Sequence, residues 1–299
     1  MKHATALSLI IIALACGGGG TAQPGIPVPE EPVAASPVQG TVAASDGVSI
    51  AYTIRENESP ALVFIHGWMC NQTFWEAQVA SQSESYTVVT IDLPGHGLSG
   101  MDRADWTLRA FGADVQTVVE SLGLEEVILV GHSMGGPVAL EAARLMPDRV
   151  IGVVAVDALH DADFEYSAEQ KTRFLAAWDQ DFAGTCTDFV TSMFPDTADP
   201  ALVERVTTAM CASPSESSIA QFRDFLQYDM KAALAAVQVP VRCINAATWP
   251  TNVEGNRAYN EDFEAVIIEG PGHFLMMEEP ERFNAHFGLV VAELSETFE

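Results

Sequence analysis

Val127-Ile128-Leu129-Val130-Gly131-His132-Ser133-Met134-Gly135-Gly136 is the stretch that decides how this chain folds. A short apolar run, of the kind buried on both faces of a parallel sheet, leads straight into Gly-x-Ser-x-Gly. Helical spacing follows from Pro137 to Met146. In this pattern the serine occupies a strained strand-to-helix turn, and the flanking glycines let neighbouring backbone approach closely. The turn lifts the hydroxyl out at the C-terminal edge of the strand. Ser133 is therefore the candidate nucleophile.

A serine hydroxyl needs a base. His273, in Gly270-Pro271-Gly272-His273-Phe274, follows the last predicted strand and so sits at the same sheet edge. His96, His132, His160 and His286 are read as ordinary surface or core histidines. A third element is His66-Gly67-Trp68, directly after the buried run Ala61–Ile65. Attack on an acyl carbon creates an oxyanion that needs donors already in place. The backbone N–H groups of Trp68 and Met134 are the expected pair.

Outward from these motifs, strands and helices alternate. Strands are predicted at 48–54, 61–65, 86–91, 127–130, 150–156, 239–244 and 265–268. Helices are predicted at 74–82 (with Thr73 as a cap), 108–122, 137–146 and 280–294. Gly123 is a C-terminal stop for the second of these. Between 158 and 236 the rhythm breaks. That segment carries Phe, Met, Trp and Leu at helical spacing, interrupted by Pro195, Pro200 and Pro214, and is read as a helical insertion. Trp106, Trp178, Phe182, Phe189 and Phe194 are candidate pocket-lining aromatics, although such spacing more often marks core. The alternation implies a parallel sheet covered on both faces.

FIHGW, VVTIDLPGHGLSG, ILVGHSMGG and EGPGHF together resemble the α/β-hydrolase family over nearly all of 41–299. Phe64–Trp68 with Phe74-Trp75 looks like its haloperoxidase and perhydrolase-type esterase branch. The resemblance implies an α/β fold with an eight-stranded, mostly parallel sheet. It also implies a helical cap inserted after the sixth strand, and no metal or organic cofactor. Members with an aspartate nucleophile, the dehalogenases and epoxide hydrolases, are disfavoured by Ser133. The base needs a carboxylate partner, which the family usually carries after the seventh strand. Here that loop reads Asn245-Ala246-Ala247-Thr248-Trp249-Pro250-Thr251, with Trp249 at the usual acid position and no Asp or Glu between Val239 and Val253. Some members place the acid at the end of the sixth strand, where Asp157 stands. Asp157 is the expected triad acid, with Asp161, Asp163 and Glu254 as fallbacks.

The expected activity is cleavage of an acyl bond, a carboxylic ester by default, in a small apolar substrate through an acyl-enzyme. Lactone, thioester, amide or carbon–carbon cleavage and perhydrolysis stay open on this fold. The alternative is a surface-anchored binding module that kept the fold and lost efficient catalysis.

The 299 residues are 48% apolar, ample for a large core. Fourteen basic against 41 acidic side chains give a net charge of −27, which repels phosphate backbones and argues against nucleic-acid binding. Lys2 followed by the apolar run Ala6–Ala15 reads as a signal peptide over 1–15, too short to span a bilayer. Ala13-Leu14-Ala15-Cys16 resembles a bacterial lipobox, which would lipidate Cys16 and tie the protein to a membrane facing the periplasm or the cell surface. The alternative is a simple cut near Ala22 and secretion. Gly17–Gly20 and five prolines make 16–40 a tether. The domains are then a core of 41–157 with 237–299, and a cap of 158–236. Four cysteines remain, which allow three pairings. Cys186 with Cys211, both in the helical segment, is the expected disulfide. No His/Cys cluster has zinc-ligand spacing. The oligomeric state is not readable.

Overall fold

The computed structural model describes residues 36–296. The expected signal peptide, the expected lipidation site Cys16 and the expected tether as far as residue 35 lie outside the described residues. An eight-stranded sheet runs in the order β1-β2-β4-β3-β5-β6-β7-β8. Its strands are β1 (Val38–Ala43), β2 (Ser49–Arg55), β3 (Ala61–Ile65), β4 (Thr87–Asp92), β5 (Val127–His132), β6 (Val150–Val156), β7 (Val241–Ala246) and β8 (Phe263–Ile268). β1 and β2 are antiparallel to their neighbours, and from β4 to β8 every pairing is parallel. The five central parallel strands β3 to β7 are buried at every residue, apart from their order in the chain, because their runs are apolar on both faces.

The last residues assigned to the expected tether fold into the sheet. Val38–Gly40 belong to β1, which pairs Val38 with Ile54 and Gly40 with Tyr52. Beside Pro37, this half-exposed edge strand has too few apolar side chains to stand out. Its partner is what makes it a strand. A Cβ on Gly40 would strike the Tyr52 ring at 2.3–2.9 Å.

Two helical layers cover the sheet. α1 (Glu76–Gln82) packs with α11 (Pro280–Glu296) and the short α10 (Leu275–Glu278), while α2 (Leu108–Ser121) packs along α3 (Gly135–Leu145). Phe74 and Trp75, expected to open the first helix, belong instead to a separate 3-10 turn over Gln72–Trp75. Asn71, not Thr73, caps that turn by accepting from Thr73 N–H. The helical insertion lies between β6 and β7. It comprises α4 (Ala168–Gln180), α5 (Phe182–Ser192), α6 (Pro200–Cys211), α7 (Ser215–Phe225) and α8 (Met230–Ala235). Local chemistry sets their starts. Ser167 and Gln170 form a capping box on α4, Asp181 caps α5, and Asp199 with Pro200 opens α6. A short α9 (Val253–Arg257) links β7 to β8. A disulfide joins Cys186 on α5 to Cys211 on α6, and Cys70 and Cys243 are buried free thiols. Among the described residues no helix is long and apolar enough to cross a membrane.

Candidate active site

The C-terminal ends of the parallel strands converge on one edge, and the predicted residues meet there. Ser133 follows β5 with φ of 52° and its N–H donates to Val156 O at 2.9 Å. The left-handed turn is enforced by crowding. A Cβ on Gly131 would lie 2.1 Å from Gly135 O, and one on Gly135 would lie 2.5 Å from Ile65 O. Only glycine lets the strand, the turn and α3 come this close.

β6 lies beside β5, with Val156 opposite His132, so the residue after each strand is a neighbour of the other. Asp157, at φ of 44°, is thus carried to the nucleophile's side. Its carboxylate is buried and accepts from Ala246 N–H at 2.8 Å through Oδ1 and from His273 Nδ1 at 2.5 Å through Oδ2. The fallback carboxylates are engaged elsewhere. Asp161 accepts from Asn252 Nδ2, Asp163 from the Tyr259 hydroxyl and Glu254 from Arg257. Trp249, at the position expected for an acid, stands edge-on to the His273 ring with centroids 5.9 Å apart.

His273 sits on the loop from β8 to α10, and that loop is held at several points. His273 N–H donates to Met193 O, and its carbonyl accepts from His132 Nε2, both at 2.9 Å. Gly272 and Phe274 N–H both donate to the Glu278 carboxylate at 3.0–3.1 Å. Burial raises the Glu278 pKa, against these backbone donors. His132 is thus more than a core histidine, because it bonds the loop that carries His273. His160 also has a task, its Nε2 lying 3.6 Å from Asp157 Oδ1.

Sequence reading missed two asparagines. Asn245, at the end of β7, holds Ala158 from both sides, accepting from its N–H and donating to its carbonyl. Asn256 donates to Leu159 O at 2.7 Å and accepts from Ala162 N–H at 2.8 Å. Together they pin the segment in which Asp157 and Leu159 both have positive φ. The available signal was an asparagine ending a buried apolar strand, since such a side chain must find partners.

The expected oxyanion donors are also available. Among the described residues, neither Trp68 N–H nor Met134 N–H donates a hydrogen bond within the protein. The loop carrying Trp68 is braced by two histidines. His66 Nδ1 donates to Gly67 O at 2.8 Å, and its Nε2 accepts from Leu93 N–H at 3.0 Å. His96 Nε2 accepts from Met69 N–H at 3.2 Å, next to Trp68. Burial pulls the His66 pKa down to about 4. Burial, with the His66 ring 4.8 Å away, pulls His96 down to about 3. Both are neutral, as their acceptor roles require.

The model of the "Alpha/beta hydrolase family" matches residues 62–286. The chain belongs to this family. Among curated relatives, 118 residues are 35% identical to the dihydrolipoyllysine-residue acetyltransferase component of the acetoin cleaving system of Cupriavidus necator, covering 40% of this chain and 32% of that one. The first curated relatives are matched over only 29–39% of their own length. A 3-oxoadipate enol-lactonase of Acinetobacter baylyi is 26% identical over 247 residues, 79% of this chain and 91% of the lactonase. The crystal structure of a hydrolase from Pseudomonas aeruginosa superposes with a TM-score of 0.70 at 26% identity, covering 83% of this chain and 96% of that one.

In this alpha/beta hydrolase the insertion closes over the site. Gly67, Trp68, Ser133 and His273 share a cavity of about 30 Å³ with Phe189, Met193 and Met210 of the insertion. Of the candidate pocket aromatics, Phe189 lines it. Phe194 stacks on Phe274, Phe182 packs on Trp178, and Trp106 lies under Arg103. Trp178 packs edge-on against Trp68. The Trp68 ring also stacks on Phe222 at 4.6 Å and donates from Nε1 to Ser218 O at 2.9 Å. Among the described residues no group of three or more His, Cys, Asp or Glu side chains is placed to hold a metal ion.

Proposed function

We propose that this alpha/beta hydrolase cleaves a carboxylic ester of a small apolar substrate through Ser133, His273 and Asp157. The observation that carries the reading is the His273 Nδ1 to Asp157 Oδ2 bond of 2.5 Å, made by a histidine that shares the Ser133 cavity. Asp157 holds the tautomer that leaves Nε2 free to take a proton. Ser133 Oγ attacks the acyl carbon while its proton passes to His273 Nε2. The oxyanion rests on Trp68 and Met134 N–H, at the N-terminus of α3, where the helix dipole favours negative charge. His273 then protonates the leaving alcohol as the C–O bond breaks, giving the acyl-enzyme. Water attacks next, its proton goes to Nε2, and Ser133 is released with the carboxylic acid.

The enol-lactonase relative makes a lactone the first alternative substrate to try. The binding-module alternative rested on the missing carboxylate after β7, and a carboxylate bonded to His273 from β6 weakens its motive. We also propose export, with Cys16 as a lipid anchor. The Cys186–Cys211 disulfide supports an oxidising compartment.

The test is hydrolysis of p-nitrophenyl acetate and butyrate by the full chain beside Ser133→Ala, together with fluorophosphonate labelling. Turnover and labelling are expected in the wild type and in neither case in the variant. A folded wild type that neither turns over nor labels would refute the reading.

A further inference from the structure

The cavity beside Ser133 is about 30 Å³. That holds about two waters, whereas sites for drug-sized ligands run to roughly 300–1,000 Å³. Its roof is built by two helices of the insertion. Phe189 and Met193 come from the α5 side, and Met210 from the last turn of α6. Cys186, Phe189 and Met193 follow at spacings of three and four, so they lie on one face of α5 and its C-cap. Cys211 is the immediate neighbour of Met210. The disulfide therefore ties together the two backbones that carry the roof, from the roof-bearing face of α5 to the residue next to Met210 on α6.

Met193 is anchored to the core, its carbonyl accepting from His273 N–H, and the bridge between α5 and α6 links that anchor to the helix carrying Met210. Methionine side chains are flexible and yield to a pushing ligand. α5 and α6, of 11 and 12 residues, are too short to be firm alone. A fixed cavity thus needs their backbones pinned. Cys186 is fully buried and Cys211 half-buried, so the pin reaches from the interior of the insertion towards its surface.

We propose that the Cys186–Cys211 disulfide is a specificity-determining element that makes the roof over Ser133 discriminate against acyl groups longer than acetyl. This rests on the ester-hydrolase reading above. One methylene more than a tight apolar pocket holds costs roughly 10- to 200-fold in kcat/KM. The bridge sets that limit because it prevents Met193 and Met210 from separating.

The experiment compares kcat/KM for p-nitrophenyl acetate, butyrate and hexanoate. It uses the full-length wild type, Cys186→Ala/Cys211→Ala and Met210→Ala. The wild type is expected to favour acetate over hexanoate by roughly 100-fold. Both variants should cut that ratio at least about tenfold, because a ratio cancels any general loss of catalytic efficiency. Should the double variant not fold, wild type reduced by a phosphine at low temperature, with its fold checked by circular dichroism, gives the same comparison. A wild type that is flat or rises towards hexanoate overturns the proposal. So does an unchanged ratio in a folded protein lacking the bridge, or in Met210→Ala. Fluorophosphonate labelling of Ser133 separates these failures from that of the hydrolase reading. Labelling with a flat chain-length profile overturns only the proposal, whereas neither labelling nor turnover overturns both.

Discussion

His273 Nδ1 stands 2.5 Å from Asp157 Oδ2, and the aspartate comes from the strand beside the nucleophile's strand, not from the loop after β7. The other oxygen of that carboxylate accepts from Ala246 N–H, at the end of β7. One buried side chain thus links three adjacent strand ends.

Asp157→Asn tests this link. The amide oxygen can still accept from Ala246 N–H, so the fold should survive. The amide nitrogen would then face His273 Nδ1 and force the wrong tautomer. We expect kcat to fall by about 10³- to 10⁴-fold, with a melting temperature within a few degrees of wild type. Steady-state kinetics and a thermal melt check it, and near-wild-type turnover would remove Asp157 from the triad.

Gly131→Ala asks whether the turn tolerates a side chain. The added methyl would overlap Gly135 O at 2.1 Å, and backbone cannot move aside as a flexible side chain can. We expect loss of phosphonate labelling at Ser133 and a stability loss on the order of 3 kcal/mol or more. Urea denaturation and labelling measure the two effects, and a folded, labelled variant contradicts the argument.

Glu278→Ala removes the acceptor shared by Gly272 and Phe274 N–H. Leaving part-buried donors unpaired costs about 1–3 kcal/mol each at most. The loop carrying His273 should loosen, with kcat lowered about tenfold and KM little changed. Glu278→Gln, which keeps an acceptor oxygen, should recover most of the loss. Equal defects in the two variants would mean that the charge, not the bonds, holds the loop.

Acid should weaken the fold in a defined window. His66 and His96 have folded-state pKa values of about 4 and about 3, lowered chiefly by burial, against about 6.5 when unfolded. Between those values the unfolded chain binds more protons, so their stabilisation is complete above 6.5 and is lost as pH falls towards 4. Asp114 runs the other way. Burial pushes its pKa up to about 6 despite Arg103, so the folded state takes up that proton first as pH falls. We expect unfolding free energy to decline from pH 6.5 to 4.5, with His66→Gln flattening the slope by about one proton and Asp114→Asn steepening it. Urea midpoints across this range decide it, and identical slopes in all three proteins would refute the assignment.

Strands β3 to β7 were legible because burial on both faces favours short apolar runs that stand out, and β2 because a half-exposed strand alternates apolar with polar residues. β1 was not, since an edge strand is defined by the hydrogen bonds its partner offers and not by its own composition. Ser133, His273 and the glycines around them were legible for a related reason. A sharp turn and a close backbone approach admit very few residue types. His132, Asn245 and Asn256 escaped notice because each acts on backbone far away in sequence, and Glu278 because the fold of its own loop brings Gly272 and Phe274 N–H to it. A polar side chain reveals such a task only when its partner is in view.

The acid lies between these cases. The amino-acid sequence by itself determined the strand-to-helix turn, the loop position of His273, the buried sheet and the absence of an acid after β7, all consequences of local steric and apolar demands. Asp157 was expected as the partner of His273, but only the tertiary structure showed that it, and none of the fallback carboxylates, bonds that histidine, that α5 and α6 roof the site and that Trp68 is held by the insertion. Those outcomes depend on which strand ends lie side by side and on where a helical segment comes to rest. Parallel pairing of β5 with β6 brings Ser133 and Asp157 together across 24 residues of chain, and no local preference encodes that distance.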